Sequence, residues 1–384
     1  MFLTETFLQP HTPRGKSMLP FRSGRIVLGE DFCGRKEELA RLREYLRPCN
    51  HVYVQGERRV GKSSLVCEAV RRMRGWRIMH VDLLAVKCVG DVTRRIVHAL
   101  FAVERDDATA LKLLKSLAAL RPTFGVDPVT GQTSVGFASP KAVEAAETLE
   151  HALDLAASRR KTVLFFDEFQ DVLSLPDSDQ VIARMRSRIQ LLTAVPVAFA
   201  GSLRNEMDLI FTDPASPFYK SAMKINLGPI DEEAIGEYMR KRFVAGGRKL
   251  DTPTVPAIYE ITRGNPGDIQ KLCIGLWEVS SPKDEVGLAL IPKALDQLWS
   301  LEETNYEERL QSLSPQQLSC LRALSFIGET GINKALVEET GVALLPSVRR
   351  AMNGLVKKRI LLREKRVYRI SDPFFAAWIR ARGM

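Results

Sequence analysis

Up to about residue 228, short apolar or β-prone runs alternate with longer stretches whose apolar positions recur every three or four residues. The short runs are His51-Val52-Tyr53-Val54, Ile78–Asp82, Thr162–Asp167, Val195–Ala200 and Met223–Leu227. Thr162–Asp167 shows no polar alternation before its final acid, the pattern of a strand covered on both faces in a parallel sheet. The helix after the first run brings Leu65, Ala69, Val70 and Met73 to one face. Further helical patterns cover 91–104, 108–120 and 141–158, and another helix carries Arg184, Arg186 and Arg188. Leu39, Leu42, Tyr45 and Leu46 give a first helix entered from the Gly34-Arg35 turn. This order predicts an α/β fold, a doubly wound parallel sheet within a domain over 21–228. One segment departs from it: alternating runs on either side of Pro128–Gly131 predict a β-hairpin insertion at about 121–139.

Beyond Asp231 the pattern becomes helical. Asp231-Glu232-Glu233 puts acids at a helix start, where they complement the dipole, and Thr262–Gly267 separates two helices. A small all-α domain is expected over 229–310. At Ser314-Pro315-Gln316-Gln317 a capping box with proline at the first helical position opens another unit. A helix to Phe326, one from Asn333 to Thr340 and a third over 347–358 precede two short strands around Glu364-Lys365. Three helices and a hairpin predict a winged helix-turn-helix over 311–384. Residues 1–20 read as a flexible arm, with Met18 a second candidate start.

Composition changes this picture little. A chain of 384 residues suits two or three domains, and 45% hydrophobic with 27% charged residues is ordinary for a globular protein. No apolar run approaches the ~20 residues of a membrane span, so no membrane partner is expected. Six scattered cysteines without a C-x-x-C pair point to reduced thiols in a cytoplasmic protein. Charge is more informative. From Leu345 onward eleven Lys/Arg face only Glu364 and Asp372, an excess of nine within a whole-chain net charge of +10.

The strongest chemical signal is Gly56-Glu57-Arg58-Arg59-Val60-Gly61-Lys62-Ser63-Ser64, which fits the phosphate-cradling loop G-x-x-x-x-G-K-[ST]. A strand before it and a helix after it are the context the motif requires. Loop N–H groups and the helix N-terminus form an anion site. Lys62 would reach the β- and γ-phosphates of ATP, and Ser63 would ligate Mg²⁺ with Asp167 as its partner. Glu168, next to the metal acid, suits a general base that polarises an attacking water. Ser202 reads either as a polar strand cap or as a partner of the γ-phosphate or water. Arg204, or one of Arg184, Arg186, Arg188 and Lys220, is a candidate for the charge that stabilises the transition state. Gly34-Arg35 either packs the first helix or lies beside the nucleotide base.

The order of Phe32–Arg35, Gly56–Ser64, Val163–Gln170, Gly201-Ser202 and Gly264-Asn265-Pro266 resembles the archaeal-type ATPase family, in the STAND branch of the AAA+ ATPases. The hairpin around Asp127–Gly131 and Ser371–Phe374 through Trp378 extend the likeness over the chain from about Pro20. The resemblance implies an ATP-driven conformational switch with a helical lid over 229–310, whose Pro266 contacts the nucleotide. Gly267-Asp268-Ile269 follows Pro266 without a sensor arginine, which suits a switch better than a motor.

On the C-terminal module, Arg349, Arg350, Lys357 and Lys358 on the third helix, with Arg363, Lys365 and Arg366 on the wing, have the footprint of a DNA-binding surface. The leading expectation is an ATP-binding, slowly hydrolysing ATPase switch that displays this module and self-associates with ATP. Two others stand beside it: a nucleotide-stabilised DNA-binding regulator without significant turnover, and a protein-docking scaffold of a defence or toxin-type system.

Overall fold

The computed structural model describes residues 19–103, 122–126, 133–137, 142–202, 204–342 and 344–383. Expectations for the arm before Leu19, the helix at 108–120 and the hairpin turn at Asp127–Gly131 fall on residues outside this set. Contacts divide the chain into two compact units, one spanning Gly24–Gly228 and the other running from Pro229 onward and including Phe21 and Arg22.

The first unit is built on β1 (Val52–Gly56), β2 (Arg77–Asp82), β5 (Thr162–Asp167), β6 (Val197–Gly201) and β7 (Met223–Leu227). All pair in parallel, in the order β2-β5-β6-β1-β7. The expected α/β sheet is present, and its two faces explain the unbroken apolar strands. On β5, Leu164 and Phe166 point into a core with α3 (Val89–Val103), α4 (Ala142–Ala157), α5 (Ser178–Ile189) and α6 (Arg204–Phe211). Val163 and Phe165 point into the opposite core, with α1 (Lys36–Leu46) and α2 (Lys62–Arg71). Each fully buried side chain of this kind contributes roughly 1.5–3 kcal/mol, so a polar residue inside β5 would lose burial whichever face it took. Between α3 and α4, β3 (Pro122–Val126) pairs antiparallel with β4 (Thr133–Phe137).

The second unit begins with α7 (Glu232–Ala245), capped by Asp231, whose carboxylate accepts the Ala234 N–H. It continues through α8 (Thr254–Thr262) and α9 (Pro266–Glu278) to α10 (Ile291–Gln311). Phe21 packs here, its ring centroid 4.9 Å from that of Phe243 and 6.5 Å from that of Trp277. The expected all-α character needs one correction. Lys249-Leu250 (β8) and Glu285-Val286 (β9) form a parallel ladder, too short to leave a period-two pattern in the sequence.

No linker separates these helices from the winged helix, because α10 is one continuous helix of 21 residues. Its first turns place Ala294 and Leu298 against Gly275 of α9. Its later turns place Tyr306 in the core beyond, 4.8 Å from Phe375 and 5.4 Å from Trp378 between ring centroids. There, α11 (Pro315–Ile327), α12 (Lys334–Thr340) and α13 (Leu345–Lys357) surround a shared core with a three-stranded sheet. The strands are β10 (Thr330-Gly331), β11 (Leu361–Glu364) and β12 (Val367–Ile370), in the order β10-β12-β11. The Ser314–Gln317 capping box forms in full. Glu364 pairs with Val367, so the wing turns at Lys365-Arg366, one residue beyond the expected position. A final helix, α14 (Pro373–Ala381), is capped by Asp372.

Candidate functional site

The phosphate loop joins β1 to α2 at the C-terminal edge of the sheet, where open α/β sheets carry their ligands. Gly56 has to be glycine: a Cβ there would lie 2.6 Å from the Leu227 carbonyl oxygen on β7. Glu57, Arg58 and Arg59 are exposed on the loop, whereas Val60 inserts into the core beneath it. Lys62 is 6% exposed, and its ammonium donates to the carbonyls of Gly56 (3.1 Å) and Glu57 (2.7 Å). Burial lowers its pKa to about 8, against the opposing pull of Glu168 and Asp167.

Two side chains of α2 also hold the segment that precedes α1. Ser64 Oγ accepts the Val27 N–H at 3.1 Å. One turn on, the buried Glu68 carboxylate accepts the Gly29 N–H at 3.0 Å together with bonds from Arg71 and Arg72. Residues 27–29 are thereby fixed along α2. Arg35 is the left-handed residue that starts α1 (φ 59°); its guanidinium donates to Glu38 at 3.0 Å and to the Gly228 carbonyl at 2.5 Å. Gly34 shares the left-handed conformation, with φ 62°. These bonds are the packing role anticipated for the turn.

Ser63 and Asp167, 104 residues apart, meet where β5 ends: Ser63 Oγ donates to Asp167 Oδ2 at 2.5 Å. Among the described residues no group of three or more His, Cys, Asp or Glu is placed to hold a metal. A hydroxyl and a carboxylate nonetheless fit Mg²⁺. That ion takes one or two protein oxygens together with phosphate oxygens rather than an all-protein cage.

Glu168 follows in a left-handed conformation (φ 49°), and its backbone N–H donates to Asp167 Oδ1 at 3.1 Å. Its carboxylate accepts Gln170 Nε2 at 2.7 Å and Ser202 Oγ at 2.8 Å. Ser202 directly follows Gly201, the last residue of β6, where a Cβ would lie 2.3 Å from Met207 Sδ. Gln170 is a contributor the sequence reading missed. It is buried and also donates to Asp171, whose other carboxylate oxygen accepts the Ala85 N–H. A glutamine two residues past the acid pair was the available signal. His80, with Nε2 3.3 Å from Asp167 Oδ2, was missed as well.

The finger candidates separate. Arg184 and Arg188 pair with Glu150 and so bind α5 to α4. Lys220 is exposed and lies 5.0 Å over the Tyr219 ring. Arg204 starts α6, but its side chain falls outside the described residues. In the second unit, Pro266 is the first residue of α9, and Asn265 caps that helix by accepting the Gly267 N–H at 3.0 Å. Arg349, Arg350, Lys357, Lys358, Arg363, Lys365 and Arg366 are all exposed. Arg363 is ordered by a bond to the Lys365 carbonyl at 3.1 Å and by lying 5.4 Å over the Tyr368 ring. Among the described residues no helix is long and apolar enough to cross a membrane, and no disulfide joins any of the six cysteines.

Residues 31–198 match a family model described as an AAA ATPase domain, and residues 304–381 match one described as a probable winged helix domain. No curated protein matches the chain. Among solved structures, the Walker-type ATPase PABY2304 of Pyrococcus abyssi is 19% identical with a TM-score of 0.61, over 94% of this chain and 100% of that one. The Aeropyrum pernix ORC1 protein, solved in complex with DNA, is 14% identical with a TM-score of 0.52, over 93% and 96%. The Aeropyrum pernix ORC2 protein, solved as ADPNP-ADP complexes, is 13% identical with the same score, over 92% and 97%. At such identities the likeness is one of fold.

Proposed function

This chain joins an AAA ATPase domain to a winged helix domain, and we propose that it is an ATP-binding switch that hydrolyses ATP slowly and presents its winged helix to DNA. The observation that carries this reading is the meeting of Ser63 and Asp167 at the phosphate loop, with Glu168 held beside them. Gly56–Ser64 cradles the phosphates, and the Lys62 ammonium exchanges loop carbonyls for phosphate oxygens. Ser63 and Asp167 would hold Mg²⁺, which would supply charge neutralisation at the phosphates. Glu168, aimed by Ser202 and Gln170, takes a proton from the attacking water. The Gly34-Arg35 turn lies beside the nucleotide base, Arg204 is the candidate finger, and ATP promotes self-association of STAND type in the cytoplasm.

The seven exposed cations on α13, at its C-cap Lys358 and on the wing support DNA as the partner of the second unit, since phosphate contacts supply most of the affinity in such interfaces. A relative in fold, the Aeropyrum pernix ORC1 protein, was solved with DNA. A protein-docking role for the same module draws on the exposed apolar side chains of Phe326, Leu344 and Leu345.

The test is DNA binding across a salt series without nucleotide, with ADP and with a slowly hydrolysed ATP analogue, alongside Lys62→Ala. The switch requires affinity that changes with nucleotide, and a Lys62→Ala variant that loses both ATP binding and that change. Salt-sensitive binding indifferent to nucleotide would make the protein a plain DNA-binding regulator. Lack of DNA affinity in every condition would leave the docking role.

A further inference from the structure

One side chain outside the motifs reaches the carboxylate at the centre of the nucleotide site. His80 lies on β2, directly alongside Phe165 of β5 in the parallel register. Its ring stacks on Phe165, with centroids 4.8 Å apart and planes at 12°. Nε2 is 3.3 Å from Asp167 Oδ2, the same oxygen that accepts the Ser63 hydroxyl at 2.5 Å. A carboxylate only accepts, so the His80 ring carries its hydrogen on Nε2. Packing alone would be met by any flat ring over Phe165 and would not need a nitrogen at the carboxylate.

We propose that His80 is a positioning residue for Asp167, fixing the carboxylate for the Mg²⁺ that accompanies the nucleotide. The inference rests on the reading of Ser63 and Asp167 as the pair that holds the ion. An oxygen of a carboxylate can accept two hydrogen bonds, and Asp167 Oδ2 has both Ser63 and His80 as partners. With Ser63 given over to the cation, His80 would remain as the side-chain partner of Oδ2. The Glu168 N–H on Oδ1 alone would leave Asp167 hinged on one bond. Partners of this kind orient ligating groups, and their loss costs about 10–100-fold in metal affinity.

Two substitutions separate the nitrogen from the ring. His80→Phe keeps the stacking surface and removes the donor; His80→Gln supplies an amide N–H and removes the ring. ADP affinity is measured calorimetrically in EDTA and over a Mg²⁺ titration with the full chain, so turnover does not enter. His80→Phe is expected to raise the Mg²⁺ concentration for half-maximal effect ~10-fold or more and to leave affinity in EDTA unchanged. His80→Gln is expected to recover most of that loss, and it stands as an independent test if His80→Phe does not fold. A wild-type Mg²⁺ requirement in His80→Phe, or equal loss with and without Mg²⁺, overturns the proposal. Wild-type protein whose ADP affinity ignores Mg²⁺ overturns the metal reading of Ser63 and Asp167 first, and this inference with it.

Discussion

Ser202 donates its hydroxyl hydrogen to Glu168 Oε2 over 2.8 Å, so the residue just beyond β6 aims the acid just beyond β5. If Glu168 is the base, Glu168→Gln leaves the dissociation constant for ATP near wild type while turnover falls by roughly 10²–10⁴. Ser202→Ala removes one aiming bond, about 1 kcal/mol, and lowers turnover several-fold with ATP affinity intact. Steady-state hydrolysis and equilibrium binding of the same preparations check both. Unchanged turnover in Glu168→Gln would take that residue out of the chemistry.

The charged wing predicts a counted salt effect. Each phosphate contact contributes a slope of about −0.9 in log affinity against log salt. Replacing both Lys365 and Arg366 with alanine therefore reduces the slope by up to about 2 and weakens binding to unrelated DNA sequences alike. Arg363→Ala acts on a side chain already ordered over Tyr368, and its loss falls more heavily on affinity than its exposure suggests. A slope unmoved by any of these variants would put the DNA surface elsewhere.

Arg263 connects two elements of the second unit. It ends α8 in a left-handed conformation (φ 53°), next to Gly264-Asn265-Pro266, and its guanidinium donates to the Ile370 carbonyl at the foot of the wing, at 3.0 Å. Arg263→Ala is expected to keep ATP binding and nucleotide-free DNA binding. It should shrink the difference that nucleotide makes to DNA affinity, and lower stability by about 1–2 kcal/mol. Thermal unfolding together with DNA titrations in ADP and ATP analogue measures both effects. A full nucleotide effect in the variant would exclude this route.

Glu68 sets an acid limit on the first unit. Burial alone would raise its carboxyl, but hydrogen bonds from Arg71, the Gly29 N–H and Arg72 outweigh it and hold the group at about 2. The folded value lies below the unfolded value of about 4.3. The stabilisation is thus present above about pH 4.3 and lost as pH falls towards about 2. Glu68→Gln should melt several degrees below wild type at pH 7, with the gap closing under acid. A gap that does not vary with pH would mean the carboxylate charge is not what holds residues 27–29.

Much of the candidate site was legible because its residues sit in local patterns. The loop glycines, Lys62 and Ser63 are consecutive, and Asp167-Glu168 closes an apolar run whose strand character follows from burial on both faces. Arg184 and Arg188 show the limit. Their charge made them finger candidates, yet Glu150, in another helix and distant in sequence, occupies both. The β8–β9 ladder escaped because two-residue strands have no period to detect.

By itself the sequence determined the α/β class, the phosphate loop, the acid pair and the basic winged helix. Each is written as a run, a spacing or a capping pattern among neighbours in the chain. Only the tertiary structure decided what the loop and the acids touch. Pairing of β2 with β5 brings His80 to Asp167, the start of α2 brings Ser63 to the same oxygen, the end of β6 brings Ser202 to Glu168, and the unbroken α10 joins the helices before it to the winged helix in one unit. These are contacts between residues tens to more than a hundred positions apart. Parallel register and packing fix them, and neither leaves a local mark in the chain.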